Sequence, residues 1–452
     1  MLKLFRTLIR SKIDYGSIVY RSAKDINDLE ALNVLHRQGI RLCLGAFKSS
    51  PKEALYVEAN EPHLRFRRDE LAMRYALKIR SNPENPVFDS IFNLPYSEKY
   101  QYEDKNLLPL GESINLLFTE AHISTNSIEH TKIPDVPIWE SDINEVNFKL
   151  AEYDKSSTLP EFFRTKFLSD IITEYEDYLH IYTDGSKQDD LAAYGVHCQY
   201  GNLSNRIADT SSIFTAEIKA ILTSLQYIKI SPRINKRFVI FCDSKSVLES
   251  IENQESRNPL MTKLLDSLQK LKHDGFTIKF CWIPSHVGIR GNESADQQAK
   301  SALQYDHPSN SKIPYTDLIP EVKRYIHQEW QDHYDMEHLY NRPIKLHHIV
   351  PTIRPFFING LNRRDEQIIH RLRIGHTRLT HRYLMEGLKQ VPQCNYCKSD
   401  FLSVFHIMIE CEYFDRIRSG FYSASDMKQL FENYSLKNIL AFLKQAGLYQ
   451  LL

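Results

Sequence analysis

The stretch that decides the fold runs from Tyr178 to Leu303. It opens Tyr178-Leu-His-Ile-Tyr-Thr-Asp184-Gly-Ser and passes through Phe214-Thr-Ala-Glu217 and Arg237-Phe-Val-Ile-Phe-Cys-Asp243-Ser. It closes Trp282-Ile-Pro-Ser-His286-Val-Gly-Ile-Arg-Gly-Asn-Glu-Ser-Ala-Asp296. Tyr178 to Thr183 and Phe238 to Cys242 are short apolar, aromatic runs, each stopped by an Asp and then by Gly or Ser. That is the pattern of a strand that ends on a carboxylate. A helical pattern from Ile213 to Ile228 lies between them, so the two strands are expected to be parallel neighbours joined by a right-handed crossover. Ligand sites of open α/β sheets gather outside the carboxyl ends of the strands. Asp184 and Asp243 are therefore expected side by side where a site would form.

Two further acids join them. The apolar stripe of the intervening helix runs through Ile213, Ala220, Ile221, Leu225 and Ile228, and Glu217 falls within that stripe. A carboxylate aimed at a sheet is costly unless its charge is compensated. Asp296 falls in the first turns of a helix that begins near Gly291 and carries Ala295, Ala299 and Leu303. Clustered carboxylates raise one another's pKa, and a hard divalent cation removes that conflict. Mg²⁺ prefers oxygen ligands and keeps positions open for a substrate phosphate. Two more strands, Ala192 to Gln199 and Leu203 to Asp209, should form a meander before the helix, and Thr277 to Ile283 should form a fifth strand. Ser285 and Asn292 are polar groups near the acids that read equally well as a turn residue and a helix cap.

In this order the YTDGS, TAE, CDS and SHVGIRGNESAD segments resemble the ribonuclease H family. The resemblance covers roughly the middle quarter to third of the chain. It implies an α/β fold with a mixed five-stranded sheet and helices. It also implies that Asp184, Glu217, Asp243 and Asp296 are metal-binding catalytic carboxylates, and that His286 is the mobile catalytic histidine ten positions before the last of them. The implied activity is endonucleolytic two-metal hydrolysis of the RNA strand of an RNA–DNA hybrid. Two Mg²⁺ ions, with Mn²⁺ as the alternative, would sit roughly 3.5–4 Å apart across the scissile phosphate. RNA would be told from DNA by its 2′-hydroxyls, and His286 would handle protons or product release. The basic helical protrusion of bacterial members is missing between Glu252 and Pro259, so substrate grip has to come from elsewhere.

Bulk properties bound the rest. A chain of 452 residues accommodates two to four domains. Its 57 basic and 57 acidic residues cancel, so no global positive field advertises a non-specific nucleic-acid binder. Seven cysteines in so long a chain do not make a disulfide framework, which points to a reducing, intracellular compartment, nucleus or cytoplasm being left open. No apolar run reaches the roughly 18 residues of a membrane span, and the N-terminus lacks a signal-peptide pattern.

Residues 1–95 are expected to be helical: Leu4 to Ile13, then Leu29 to Leu42, then Leu64 to Ile79 with Arg65, Arg67, Arg68, Arg74, Lys78 and Arg80. Those cations read either as a solvated face or as a phosphate-tracking surface. The segments IRSKIDYGSIVYRSA and LHRQGIRLCLGAFKSSPKEALYVEANEPHLRFRRDELAMRYALKI resemble the helical thumb that follows the polymerase palm in non-LTR retrotransposon reverse transcriptases. No Tyr-x-Asp-Asp occurs, so polymerase activity is not expected. Residues 96–175, punctuated by Pro109, Pro134, Pro137 and Pro160 and acidic after Asp135, read as a connector, followed by the ribonuclease H domain at 176–304.

Residues 305–452 begin with a polar linker and a helix from Asp317 to His333. Then comes the basic amphipathic run Arg363 to His381. Arg371, Arg373, Arg378 and Arg382 are candidates there for nucleic-acid contacts. Beyond it, Cys394, Cys397, His406 and Cys411 have the residue types and spacing of a tetrahedral Zn²⁺ site. The RLRIGHTRLTHRYLM run with this CxxC-H-C set resembles the zinc-knuckle-like tail after ribonuclease H in some of these polyproteins, which implies single-stranded RNA as a further partner.

Three readings remain separable at this level. One is an active ribonuclease H from a retroelement lacking its palm. Another is a catalytically idle nucleic-acid-binding relic, which requires a damaged acid. The third is a scaffold that binds only proteins, supported by the zero net charge. Only the first expects Asp243→Asn to abolish cleavage while sparing hybrid binding.

Overall fold

The structure is a computed structural model that describes every residue except 22–25, 95–96, 101–107, 132–145, 231–235, 255–257, 307, 309–311, 342, 388–389 and 399–400. Pro134, Asp135 and Pro137 of the expected connector lie outside the described residues. The chain divides into two units: Met1–Ala72, Tyr102–Leu110 and Lys323–Leu452 form one, and Met73–Gln101 and Gly111–Val322 the other.

The second unit is built on a six-stranded mixed sheet: β1 Val146–Asn147, β2 Leu179–Gln188, β3 Leu191–Cys198, β4 Gly201–Ile207, β5 Arg237–Cys242 and β6 Thr277–Trp282. The spatial order is β1-β6-β5-β2-β3-β4. β1, β6, β5 and β2 run parallel, and β2, β3 and β4 form an antiparallel meander. The sheet thus has six strands rather than five. The extra one is a two-residue edge strand, paired Val146 to Phe280 and Asn147 to Cys281, too short to leave a period in the sequence.

The central strand β5 is buried on both faces, as its unbroken apolar run Phe238 to Cys242 requires. Phe238, Ile240 and Cys242 pack with Ile181 and Phe280 beneath the helices Ile213–Ile230, Lys245–Asn253 and Pro259–His273. Val239 and Phe241 face the other way, where Phe163, Phe167, Ile171 and Tyr175 cover them. Those four residues recur at intervals of four, one stripe of a helical segment formed by Pro160–Lys166, Phe167–Ile171 and Ile172–Glu174 and capped by Tyr175. This second layer also seats Ile283, Val287 and Ile289. The Arg290–Ala302 helix lies on β3, where Gly195 permits the approach. A Cβ at Gly195 would come within 2.3 Å of the Ala295 carbonyl oxygen.

The first unit is helical. Its helices include Ile26–Leu44, Lys52–Ala59, Arg363–Ile374, Arg378–Met385 and Leu436–Gln445. Two of its sequence-distant parts are joined by a buried ion-pair group. Glu58 accepts from His370 Nδ1 at 2.7 Å and from Arg373 Nε at 3.0 Å. Among the described residues no helix is long and apolar enough to cross a membrane.

Candidate active site and candidate metal centres

The last parallel pair between β2 and β5 is Thr183 with Cys242. Asp184 and Asp243, the next residue of each chain segment, therefore leave the parallel ladder together. Asp184 does not end its strand as the sequence pattern suggested. β2 runs on to Gln188 because its other edge keeps pairing with β3, Asp184 opposite Gly195. Gly185 explains the Asp-Gly pair. A Cβ there would sit 3.0 Å from the Glu217 backbone nitrogen and 3.1 Å from its Cγ, so only glycine lets the helix lower Glu217 onto the strand without a shift.

Asp184, Glu217 and Asp243 each bring a carboxylate oxygen to within 4.8 Å of the others. Asp184 and Glu217 are buried, 6% and 5% exposed, and Asp243 is half-buried. Burial comes first in raising the Asp184 pKa, with the charges of Asp243 and Asp296 adding to it. Burial, then Asp243 and Asp184, likewise drives Glu217 well above the carboxylate range, and burial raises Asp243. Asp184, Glu217 and Asp243 resist joint ionisation and form a donor set of hard oxygens that a divalent cation would neutralise.

Neighbouring groups orient the acids. Asn292 Nδ2 donates to Asp243 Oδ2 at 3.2 Å, and the Trp282 indole donates to the Asp243 carbonyl at 3.0 Å. Asn292 is buried, and its Oδ1 has no hydrogen-bond partner among the described residues. It is not a helix cap; Ile289 occupies the N-cap of that helix. The orphaned oxygen beside an all-carboxylate cluster fits a site that holds Mg²⁺ and its water. Lys300 Nζ donates to Asp296 Oδ2 at 2.7 Å.

His286 is exposed, with φ at +55°, on the loop before the last helix. It groups with Asp296 and with Glu293, a residue that the motif reading passed over. Glu293 lies one helical turn before Asp296, and that spacing was the available signal. A second group was also missed. Lys155 Nζ donates to Ser285 Oγ at 2.8 Å, so residues upstream of the motif stretch steady the His286 loop.

In the other unit, Cys394, Cys397, His406 and Cys411 bring four ligand atoms within 4.8 Å of one another. Cys394 and Cys411 Sγ are 3.9 Å apart, and Cys397 Sγ is 3.3 Å from His406 Nε2. A tetrahedral site with Zn–S near 2.3 Å has S–S edges of about 3.8 Å. The set fits Zn²⁺. His406 and Cys411 are the ends of one wide helical turn closed by the Cys411 amide on the His406 carbonyl at 2.7 Å.

The four arginines proposed for nucleic acid divide. Arg373 is buried on Glu58 with its guanidinium 3.6 Å above the Phe356 ring. Arg371 donates to the carbonyls of Gly45 and Leu452, both at 2.7 Å, and stacks over Phe47. Both guanidiniums are engaged within the helical unit, Arg373 buried and Arg371 partly covered. Arg378 and Arg382 are exposed, Arg382 paired with Glu386. In the N-terminal helices Arg67 is likewise paired internally, with Asp14 and Glu70.

Residues 176–304 match the family model described as RNase H. The chain is similar to the RNase H1 of the halophilic archaeon Halobacterium salinarum at 20% identity, over 28% of this chain and 97% of that one, with a TM-score of 0.23. It is similar to LC11-RNase H1, solved in complex with an RNA/DNA hybrid, at 17% identity over 28% and 99%, with a TM-score of 0.24. A third similar structure is the N-terminal RNase H domain of a Mycobacterium tuberculosis protein fused to maltose-binding protein. It shares 22% identity over 28% and 99%, with a TM-score of 0.24. The chain carries an RNase H domain at residues 176–304, in an α/β fold with helical flanks.

Proposed function

We propose that the protein is a divalent-metal-dependent ribonuclease that hydrolyses the RNA strand of RNA–DNA hybrids. The observation that carries this reading is the convergence of Asp184, Glu217 and Asp243 within 4.8 Å, with the charge of Asp296 acting on Asp184, inside the RNase H match. Asp184, Glu217, Asp243 and Asp296 would hold Mg²⁺ or Mn²⁺. Bound there, the ions would supply Lewis-acid stabilisation of the charge that develops on the scissile phosphate and would acidify a water. Asn292 keeps the Asp243 carboxylate turned into the site. His286, exposed beside Glu293 and Asp296, would hold or pass a proton as the product strand leaves. The resemblance of both flanks to retroelement segments supports origin in a non-LTR polyprotein.

The test uses a labelled hybrid with purified protein, with and without Mg²⁺, comparing wild type with Asp184→Asn and Asp243→Asn. Magnesium-dependent cutting of the RNA strand is expected. Either substitution should lower it by more than about a hundredfold while leaving hybrid binding in place. Binding by the folded wild-type protein without any cleavage would overturn the reading.

A further inference from the structure

A further ligand-rich cluster lies in the helical unit and shares no residue with those described above. Glu53 is the second residue of the Lys52–Ala59 helix, His63 stands just before the Leu64–Arg80 helix, and His333 lies on the Ile319–Met336 helix. His63 Nε2 is 2.7 Å and His333 Nε2 3.7 Å from the same atom, Glu53 Oε2. One ligand atom from each residue falls within 4.8 Å of the others.

Ordinary packing explains this group incompletely. A single Glu–His hydrogen bond would account for Glu53 and His63, but not for a second imidazole nitrogen turned to the same oxygen. Glu53 is 4% exposed, and its Oε1 has no hydrogen-bond partner among the described residues, only the Lys52 ammonium at 3.8 Å. A buried carboxylate oxygen left in that state is costly. The surroundings are those of a built site. The Tyr56 ring lies 4.0 Å from the His63 ring, and Phe66 stands against both imidazoles at 6.2 and 5.9 Å. Such an aromatic shell fixes ring orientation and lowers the local dielectric around a ligand set. His63 and His333 are each only partly covered, which leaves one side of the cluster reachable.

We propose that Glu53, His63 and His333 bind a divalent transition-metal ion, Zn²⁺ by the chemistry of two imidazoles and a carboxylate, with water at the fourth position. Nitrogen and oxygen ligands at 2.0–2.2 Å around a tetrahedral ion stand about 3.3–3.5 Å apart. The observed 2.7 and 3.7 Å separations bracket that edge, so entry of the ion needs side-chain shifts of about half an ångström. The ion would tie three helical segments of one unit together.

The test counts metal in the full chain. Wild type, His333→Gln and His63→Gln are purified alike, dialysed against zinc and then buffer, and measured by plasma mass spectrometry. Circular dichroism establishes that each is folded. Each variant is expected to hold one equivalent less than wild type. Zn²⁺ at a hundred times its dissociation constant should raise the wild-type melting temperature by about 5–10 °C more than that of the variants. Cobalt separates this site from the cysteine cluster. The difference spectrum, wild type minus His333→Gln, should contain Co²⁺ bands without thiolate charge transfer. Equal metal content in folded wild type and variants would overturn the proposal, as would loss of the thiolate band. Should a variant not fold, the decision passes to Cys397→Ser, which must still bind one Co²⁺ free of thiolate absorption when Asp184 is replaced by Asn.

Discussion

At Asp184 and Glu217 the structure holds acids whose ionisation burial opposes and whose neighbours are acids too. The sign of the consequence follows directly. A carboxyl whose folded pKa is raised stabilises fully below its unfolded value, near 4, and that contribution is lost as pH rises through the raised folded value. In the absence of divalent ions, the carboxylate cluster should therefore weaken the fold progressively from mild acid toward alkaline pH. Asp184→Asn removes one charge from the conflict. Calorimetry in chelator is expected to show the variant melting above wild type at pH 8, by about 1–3 kcal/mol of stability, with the gap closing toward pH 4. Mg²⁺ should reverse the order, because only wild type retains the full ligand set. Equal stability across that range would show that the acids do not repel as their burial demands. Asn292→Ala tests the orienting shell. Losing the donor to Asp243 should lower hybrid cleavage by about 10–100-fold, read as kcat against Mg²⁺ concentration, with the fold intact.

At the scale of elements, the motif-bearing segments and the covering layer differ in how they could be read. β2, β5 and the Ile213–Ile230 helix were legible because each carries its own period, and the carboxylates could be placed from where those periods stop. The position of Asp184 was misjudged by one feature. A strand that loses its parallel neighbour can continue on its antiparallel one, and Gly185 looks like a turn until the helix packed over it is seen. The upstream layer was obscured by composition. Prolines and acids between 109 and 160 marked a connector, while Phe163, Phe167, Ile171 and Tyr175 already spelled a four-residue stripe. Those residues close the sheet face formed by Val239, Phe241 and Cys281. Phe163→Ala is expected to cost about 3–5 kcal/mol in denaturant unfolding. A loss under about 1 kcal/mol would mean that the segment is dispensable to the sheet.

At the scale of the whole molecule, the pairing of Glu58 with His370 and Arg373 joins segments more than three hundred positions apart, a relation that no local pattern encodes. Charge along Arg363–Ile374 suggested a phosphate-binding face, yet Arg371 and Arg373 are consumed by carbonyls, Glu58 and aromatic rings. Glu58→Ala would strand a buried guanidinium, at a cost of about 3–5 kcal/mol, whereas Arg382→Ala on the exposed face should change stability little. The division into two units gives this contrast a wider form. The carboxylates lie in Gly111–Val322 and the cysteine cluster in Lys323–Leu452, and their donors differ in hardness, oxygen against sulfur and nitrogen. Hydrogen exchange should therefore separate the two metals. Mg²⁺ is expected to slow exchange in β2, β5 and the Arg290–Ala302 helix, and Zn²⁺ to slow it around residues 394–411. Cys397→Ser should erase the zinc response around residues 394–411 and leave the magnesium response of the sheet. If Mg²⁺ protected the cysteine segment as strongly as the sheet, the two centres could not be the separate ligand sets that their chemistry describes.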